Sequence, residues 1–166
     1  MKSAFDLSPA QKEQTQHGEK MFPLKRYLTM LSELYPTVTA HWHEEAELTL
    51  ITRGTCIYHI HLETYEAQEG DLLFIPPAEL HSINAAPGTE MTSTTYVFHM
   101  DYLNADSADI CTVKYLHPIS RHTLVLPYII KKDHPAHSKL LEIFREMEQA
   151  YSDKRPGYEM MLKALL

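Results

Sequence analysis

Three histidines and a glutamate carry the chemistry that this sequence can do. His41 and His43 are separated by one residue, Glu47 follows four places later, and His81 arrives after a long interval. On a β-strand, side chains alternate between faces, so His41 and His43 share a face from which Trp42 turns away. Glu47 has the same parity. Imidazoles that converge with a carboxylate bind a divalent metal such as Zn, Fe, Mn or Ni. They also line a polar pocket for a hydroxyl-bearing ligand, since donors and acceptors are both at hand. The plainer alternative for each histidine is a strand imidazole satisfied by a single hydrogen bond.

The elements that must position these residues read as β-strands. From Phe22 onward, short apolar segments are separated by turn signals. The candidates are Leu24 to Leu31, Thr37 to His43, Ala46 to Thr52, Cys56 to Leu62, Tyr65 to Gln68, Asp71 to Ile75, His81 to Asn84 and Met91 to His99. Eight strands of this spacing fit a closed barrel or jelly roll. Arg53-Gly54 reads as a hairpin turn, and its parity carries the inward face from Glu47 through Thr49 and Ile51 to Cys56, Tyr58 and Ile60. Thr49 and Tyr58 thereby join the candidate ligand-binding set, whereas His59 and His61 fall on the outer face.

The flanks differ from this middle. Residues 1–20 are rich in Gln, Lys and Glu, with Ser8-Pro9 as a helix start; their composition favours a loose arm over one folded across the pocket. Beyond His99, Asp101 to Cys111 has the spacing of a short helix, and Thr123 to Ile130 that of an edge strand interrupted by Pro127. Ser138 to Tyr151 carries a stripe of Leu140, Phe144, Met147 and Tyr151 along one helix face, suited to a helix-pair seam. Pro156-Gly157 ends that helix, and a second, strongly apolar one runs from Tyr158 to Leu166. Its exposed apolar content implies a partner or a chain that continues.

Length and composition bound the rest. The 166 residues suffice for one domain and an appendage, and 44% hydrophobic residues exclude a disordered tail. No apolar run spans a bilayer, and no secretory signal opens the chain, which points to the cytoplasm. Cys56 and Cys111 lie far apart and read as buried free thiols. A formal charge of −7 argues against direct contact with a phosphate backbone.

The spacing His41-x-His43-x-x-x-Glu47, then Gly54, Gly70, Pro76 and His81, resembles the two-part signature of the cupin superfamily, with Tyr35 and Ala78 standing where that signature has glycine. A narrower resemblance covers nearly the whole chain. Phe22-Pro23-Leu24, the His-Trp-His-Glu-Glu block, Gly70-Asp71 through Leu80-His81-Ser82, and Lys114-Tyr115-Leu116 look like the sensor half of AraC/XylS-type transcription regulators. The resemblance implies a mainly β, cupin-like double-stranded β-helix followed by C-terminal α-helices. It divides the chain into an arm (1–20), a barrel (21–134) and a helical dimerisation or linker segment (135–166) leading to a helix-turn-helix part that is absent. It further implies a small polar effector, a sugar among the candidates, a homodimer, DNA contact only through the missing part, and no catalysis. The alternative is a metal-dependent cupin enzyme, an oxygenase, isomerase or decarboxylase, with His41, His43, Glu47 and His81 as ligands.

Overall fold

The structure, a computed structural model, describes residues 7–104 and 109–166. Its strands are β1 Leu24–Leu31, β2 Thr37–His41, β3 Ala46–Arg53, β4 Thr55–Ile60, β5 Glu63–Gln68, β6 Leu72–Ile75, β7 His81–Ala85, β8 Met91–Phe98 and a short β9 at Ile129–Ile130. They form two antiparallel sheets, one in the order β1-β8-β3-β6-β9 and the other β2-β7-β4-β5. Every link from β1 to β8 except β4 to β5 passes from one sheet to the other, which is the winding of a jelly roll. The expected mainly β fold with C-terminal helices is the fold observed.

Strand alternation sorts the larger sheet into two faces. Ile51, Leu73, Ile75 and Met91 point into the barrel with Cys56, Tyr58 and Ile60 of the opposite sheet. Leu48, Leu50, Leu72, Tyr96 and Phe98 point outward, where helices cover them. An apolar outer sheet face needs such a cover, and the chain supplies it from its own C-terminal part.

Helix α1, His117–Ser120, continues a helical stretch that begins at residue 110 and passes through a π-helical turn at Thr112–Leu116. Helices α2, His137–Asp153, and α3, Tyr158–Leu165, follow, joined through Lys154 in the left-handed conformation (φ 48°) and Gly157. Phe144, Met147 and Leu162 are buried in one cluster with Leu24, Ala46, Leu72, Tyr96 and Phe98. The stripe expected to form a helix-pair seam is therefore spent on the protein's own barrel, with only Leu140 left 37% exposed.

Four further expectations are corrected. Arg53-Gly54 is not a hairpin: β3 pairs with β6 and β8, and β4 with β5 and β7. Gly54, at φ 77°, carries the chain between sheets, and a Cβ there would stand 2.0 Å from the Glu90 carbonyl oxygen. The inferred parity survives, since Thr49, Ile51, Cys56, Tyr58 and Ile60 are all buried. Past β8, a 3₁₀ turn at Met100–Tyr102 stands where the helix from Asp101 was expected, and residues 105–108 of that expectation lie outside the described ones. The edge strand from Thr123 shrinks to β9, which begins only after Pro127 and its missing N–H. Both cysteines are free, but Cys111 is exposed and only Cys56 is buried.

Over its described residues, 7–20, the arm is packed and not loose, and residues 1–6 of that expectation lie outside the described ones. After one 3₁₀ turn at Pro9–Gln11, Lys12 bridges to Trp42, with Glu13 N–H donating to the Trp42 carbonyl (2.9 Å) and Trp42 N–H to that of Gln11 (3.0 Å). The Trp42 indole N–H donates to the Ser8 carbonyl at 3.0 Å, and the Lys12 ammonium lies 5.1 Å above its ring. No helix among the described residues is long and apolar enough to cross a membrane.

Candidate metal and ligand site

His41, at the end of β2, pairs directly across the ladder with His81, which opens β7. Their rings stand 4.4 Å apart, centroid to centroid. His43 lies in the link that carries the chain to the other sheet, where Glu47 occupies the second position of β3. The two sheets thus deliver two histidines and a carboxylate from their ends, and the link delivers the third histidine. One ligand atom from each of His41, His43, Glu47 and His81 lies within 4.8 Å of all the others.

Backbone carbonyls orient all three imidazoles in the same way. Nδ1 of His41 lies 2.8 Å from the Thr39 oxygen, that of His43 3.1 Å from Glu45, and that of His81 2.8 Å from Glu79. A carbonyl only accepts, so each Nδ1 carries the proton and each Nε2 is turned toward the cluster. Carbonyls that accept a proton from the far ring nitrogen commonly fix metal-binding histidines in this way.

The Glu47 carboxylate gathers what these rings present. Its Oε1 is 3.0 Å from His43 Nε2 and 3.7 Å from His81 Nε2. Burial would raise the Glu47 pKa, but the His81 charge, with the hydrogen bond from His43, holds it far below the usual carboxylate range. Burial alone would lower the His81 pKa; the Glu47 charge and hydrogen bonding more than offset this, so it lies above 6.5. His41 goes the other way, lowered by burial and by the neighbouring His81 charge.

His81 Nε2 is buried without a hydrogen-bond partner while facing a carboxylate oxygen. Two lone pairs so placed repel, and either a proton or a metal cation between them removes the conflict. Ligand bonds of about 2.0–2.2 Å set neighbouring donors roughly 3.0–3.5 Å apart, close to the 3.0 and 3.7 Å from Glu47 Oε1 to His43 Nε2 and His81 Nε2. Three imidazoles and a carboxylate suit Zn, Fe, Mn or Ni, so the residues fit such an ion.

Thr49 and Tyr58 lie deeper. Thr49 is fully buried, its hydroxyl 2.8 Å from that of Thr95. Tyr58 is fully buried with no hydrogen-bond partner for its hydroxyl, and burial, with the Cys56 and Glu47 charges, pushes its pKa well above 10. His59 and His61 stay outside the cluster: His59 Nδ1 is 3.1 Å from the Thr64 hydroxyl, and His61 pairs with Glu79.

Two groups of polar residues were not read from the sequence. Buried Glu79 also meets His122 (3.0 Å) and the Tyr128 hydroxyl (2.8 Å), bringing together residues far apart in the chain. In the arm, Glu13 and His17 reach the histidine cluster, and their four-residue spacing was the one available signal.

The family described as the AraC-like ligand binding domain matches residues 34–166. The uncharacterized HTH-type transcriptional regulator YdeC of Bacillus subtilis strain 168 is 32% identical over 89 residues, which are 53% of this chain and 31% of that protein. The chain thus matches about a third of that curated relative. Among solved structures, a cupin protein from Bacteroides fragilis is 24% identical, covering 52% of this chain and 70% of its own, with a TM-score of 0.44. A cupin-like protein from Thermotoga maritima is also 24% identical, covering 46% and 58%, with a TM-score of 0.43.

Proposed function

Since the chain belongs to the family of AraC-like ligand binding domains, we propose that it is the effector-sensing part of a bacterial transcription regulator. The observation that carries this reading is the convergence of His41, His43, Glu47 and His81 at the barrel mouth, beneath the arm. A small polar metabolite, a sugar being one candidate, would bind there, with Thr49 and Tyr58 as deeper contacts. It would shift the arm between docked and lifted states, provided that it binds one state better than the other. A helix-turn-helix part beyond residue 166 would hold DNA, with residues 1–20 as arm, 21–134 as sensor and 135–166 as connection. The regulator would act in the cytoplasm as a homodimer and catalyse nothing. Its dimer contact would come from outside Phe144 and Met147, which are buried on the barrel.

A thermal-shift screen against polyhydroxylated metabolites and divalent ions tests the site. A ligand at 100 times its dissociation constant should stabilise the domain by about 2.7 kcal/mol. His41→Gln with His81→Gln should remove the shift. A shift that persists in this double variant would place the effector elsewhere. The donor set itself favours one second reading, a metal-dependent enzyme, which would need an open coordination position for substrate.

A further inference from the structure

We propose that the N-terminal arm is clamped to the barrel by a divalent metal, with Glu13 and His17 as ligands alongside His43. This rests on the sensing site proposed above and adds what regulates its cover. Ligand atoms of Glu13, His17 and His43 lie within 4.8 Å of one another, so His43 belongs both to this group and to the barrel cluster. Two of the three are deeply buried: His17 is 6% exposed and His43 4%.

His17 is placed to act as a ligand in the tautomer that carries its proton on Nδ1, which leaves the lone pair on Nε2. Its Nδ1 is 2.8 Å from the Tyr27 hydroxyl, which fixes the ring. Its Nε2 is buried, makes no hydrogen bond, and stands 3.5 Å from Glu13 Oε2. The same Glu13 oxygen is 3.6 Å from His41 Nε2, so one carboxylate of the arm faces an arm histidine and a barrel histidine together. The His17 and His43 rings stand 5.2 Å apart. Leaving a buried imidazole nitrogen without a partner costs free energy that an apolar residue would avoid. A cation recovers that cost, and imidazole with carboxylate selects Zn, Co, Ni or Fe over Mg or Ca.

The arm has a second, metal-independent anchor, the ion pair between Lys12 and Glu44 at 2.5 Å. This pair separates ligation from mere position. Trp42 is the only tryptophan and lies under the arm, so its emission reports docking.

The test titrates the 166-residue protein with Co²⁺ and with Zn²⁺ against a competing chelator, following Trp42 emission and amide hydrogen exchange over residues 8–20. Wild type should bind at least about tenfold more tightly than Glu13→Gln with His17→Gln, a loss typical of altered metal surroundings. Exchange in the arm should slow on metal addition in wild type and in Glu44→Gln, but not in the Glu13→Gln with His17→Gln variant. Glu44→Gln should keep affinity within about threefold, and far-ultraviolet circular dichroism should show each variant folded. Equal affinity in wild type and the double variant would overturn the clamp while leaving the barrel site in place. A loss in Glu44→Gln as large as in the double variant would overturn it too, because position and not ligation would then be responsible. Wild type that takes up neither ion would also overturn it; the organic-effector reading would still stand on its thermal-shift screen.

Discussion

Glu47 is the residue on which the charge balance of the barrel mouth turns. Its own pKa is depressed and that of His81 raised, so each stabilises the charged form of the other. The signs fix a pH window. The contribution of Glu47 is present above its unfolded value of 4.5 and is lost as pH falls through the folded one. That of His81 is fully present below its unfolded value of 6.5 and is lost as pH rises through the folded one. In metal-free buffer with chelator, His81→Gln should therefore lower the melting temperature most between about pH 4.5 and 6.5, with the deficit shrinking toward pH 8. Calorimetric scans showing a deficit that grows with pH would contradict the pairing. His41, His43 and Glu47 were legible from their close spacing, although the single strand assumed for their parity ends at His41, His43 lies in the link and Glu47 stands on a strand of the other sheet. His17 was not, because its position depends on where the arm lies. Glu79 was not either, since its partners His61, His122 and Tyr128 meet it only in the folded barrel.

At the scale of elements, the helices behave as part of the barrel. Phe144 is 1% exposed against the outer sheet face, so Phe144→Ala should cost about 3–5 kcal/mol, as large-to-small core changes do. Leu140→Ala, one turn earlier and at the surface, should stay within about 0.5 kcal/mol. Denaturant midpoints with unchanged slopes would measure both; similar losses for the two would mean that α2 does not pack as described. Periodicity announced this stripe but not its partner, because a helix seam and a barrel face ask for the same apolar spacing. The turn at Gly54 was ambiguous in the same way: a glycine between two strands serves a hairpin or a crossing between sheets, and only the approach of Glu90 decides. The strands themselves were read nearly to their ends, since short apolar runs bounded by turn residues mark them even where, as in β8, both faces are buried. In the arm, composition misled, because the pairing of Lys12 with Trp42 uses backbone groups that every sequence has.

For the whole molecule, charge bounds the partners. With a formal charge of −7, these 166 residues should show no binding to a duplex of about 20 base pairs at 50 mM salt, as followed by fluorescence anisotropy. Binding that weakens steeply with added salt would contradict this and place a phosphate-contacting surface within the domain. The fold also bears on how occupancy at the mouth is felt elsewhere. Glu47 and Leu48 are neighbours on β3, one turned to the histidines and the other to the cluster that holds Phe144, Met147 and Leu162. The two residues share one peptide plane, which joins the mouth to the outer cluster by the shortest covalent path. Under the proposed sensing role, a ligand that drew Glu47 toward it by a fraction of an ångström would tilt the peptide it shares with Leu48 and press or release Leu48 in the same movement, so the sheet would serve as a diaphragm one strand thick.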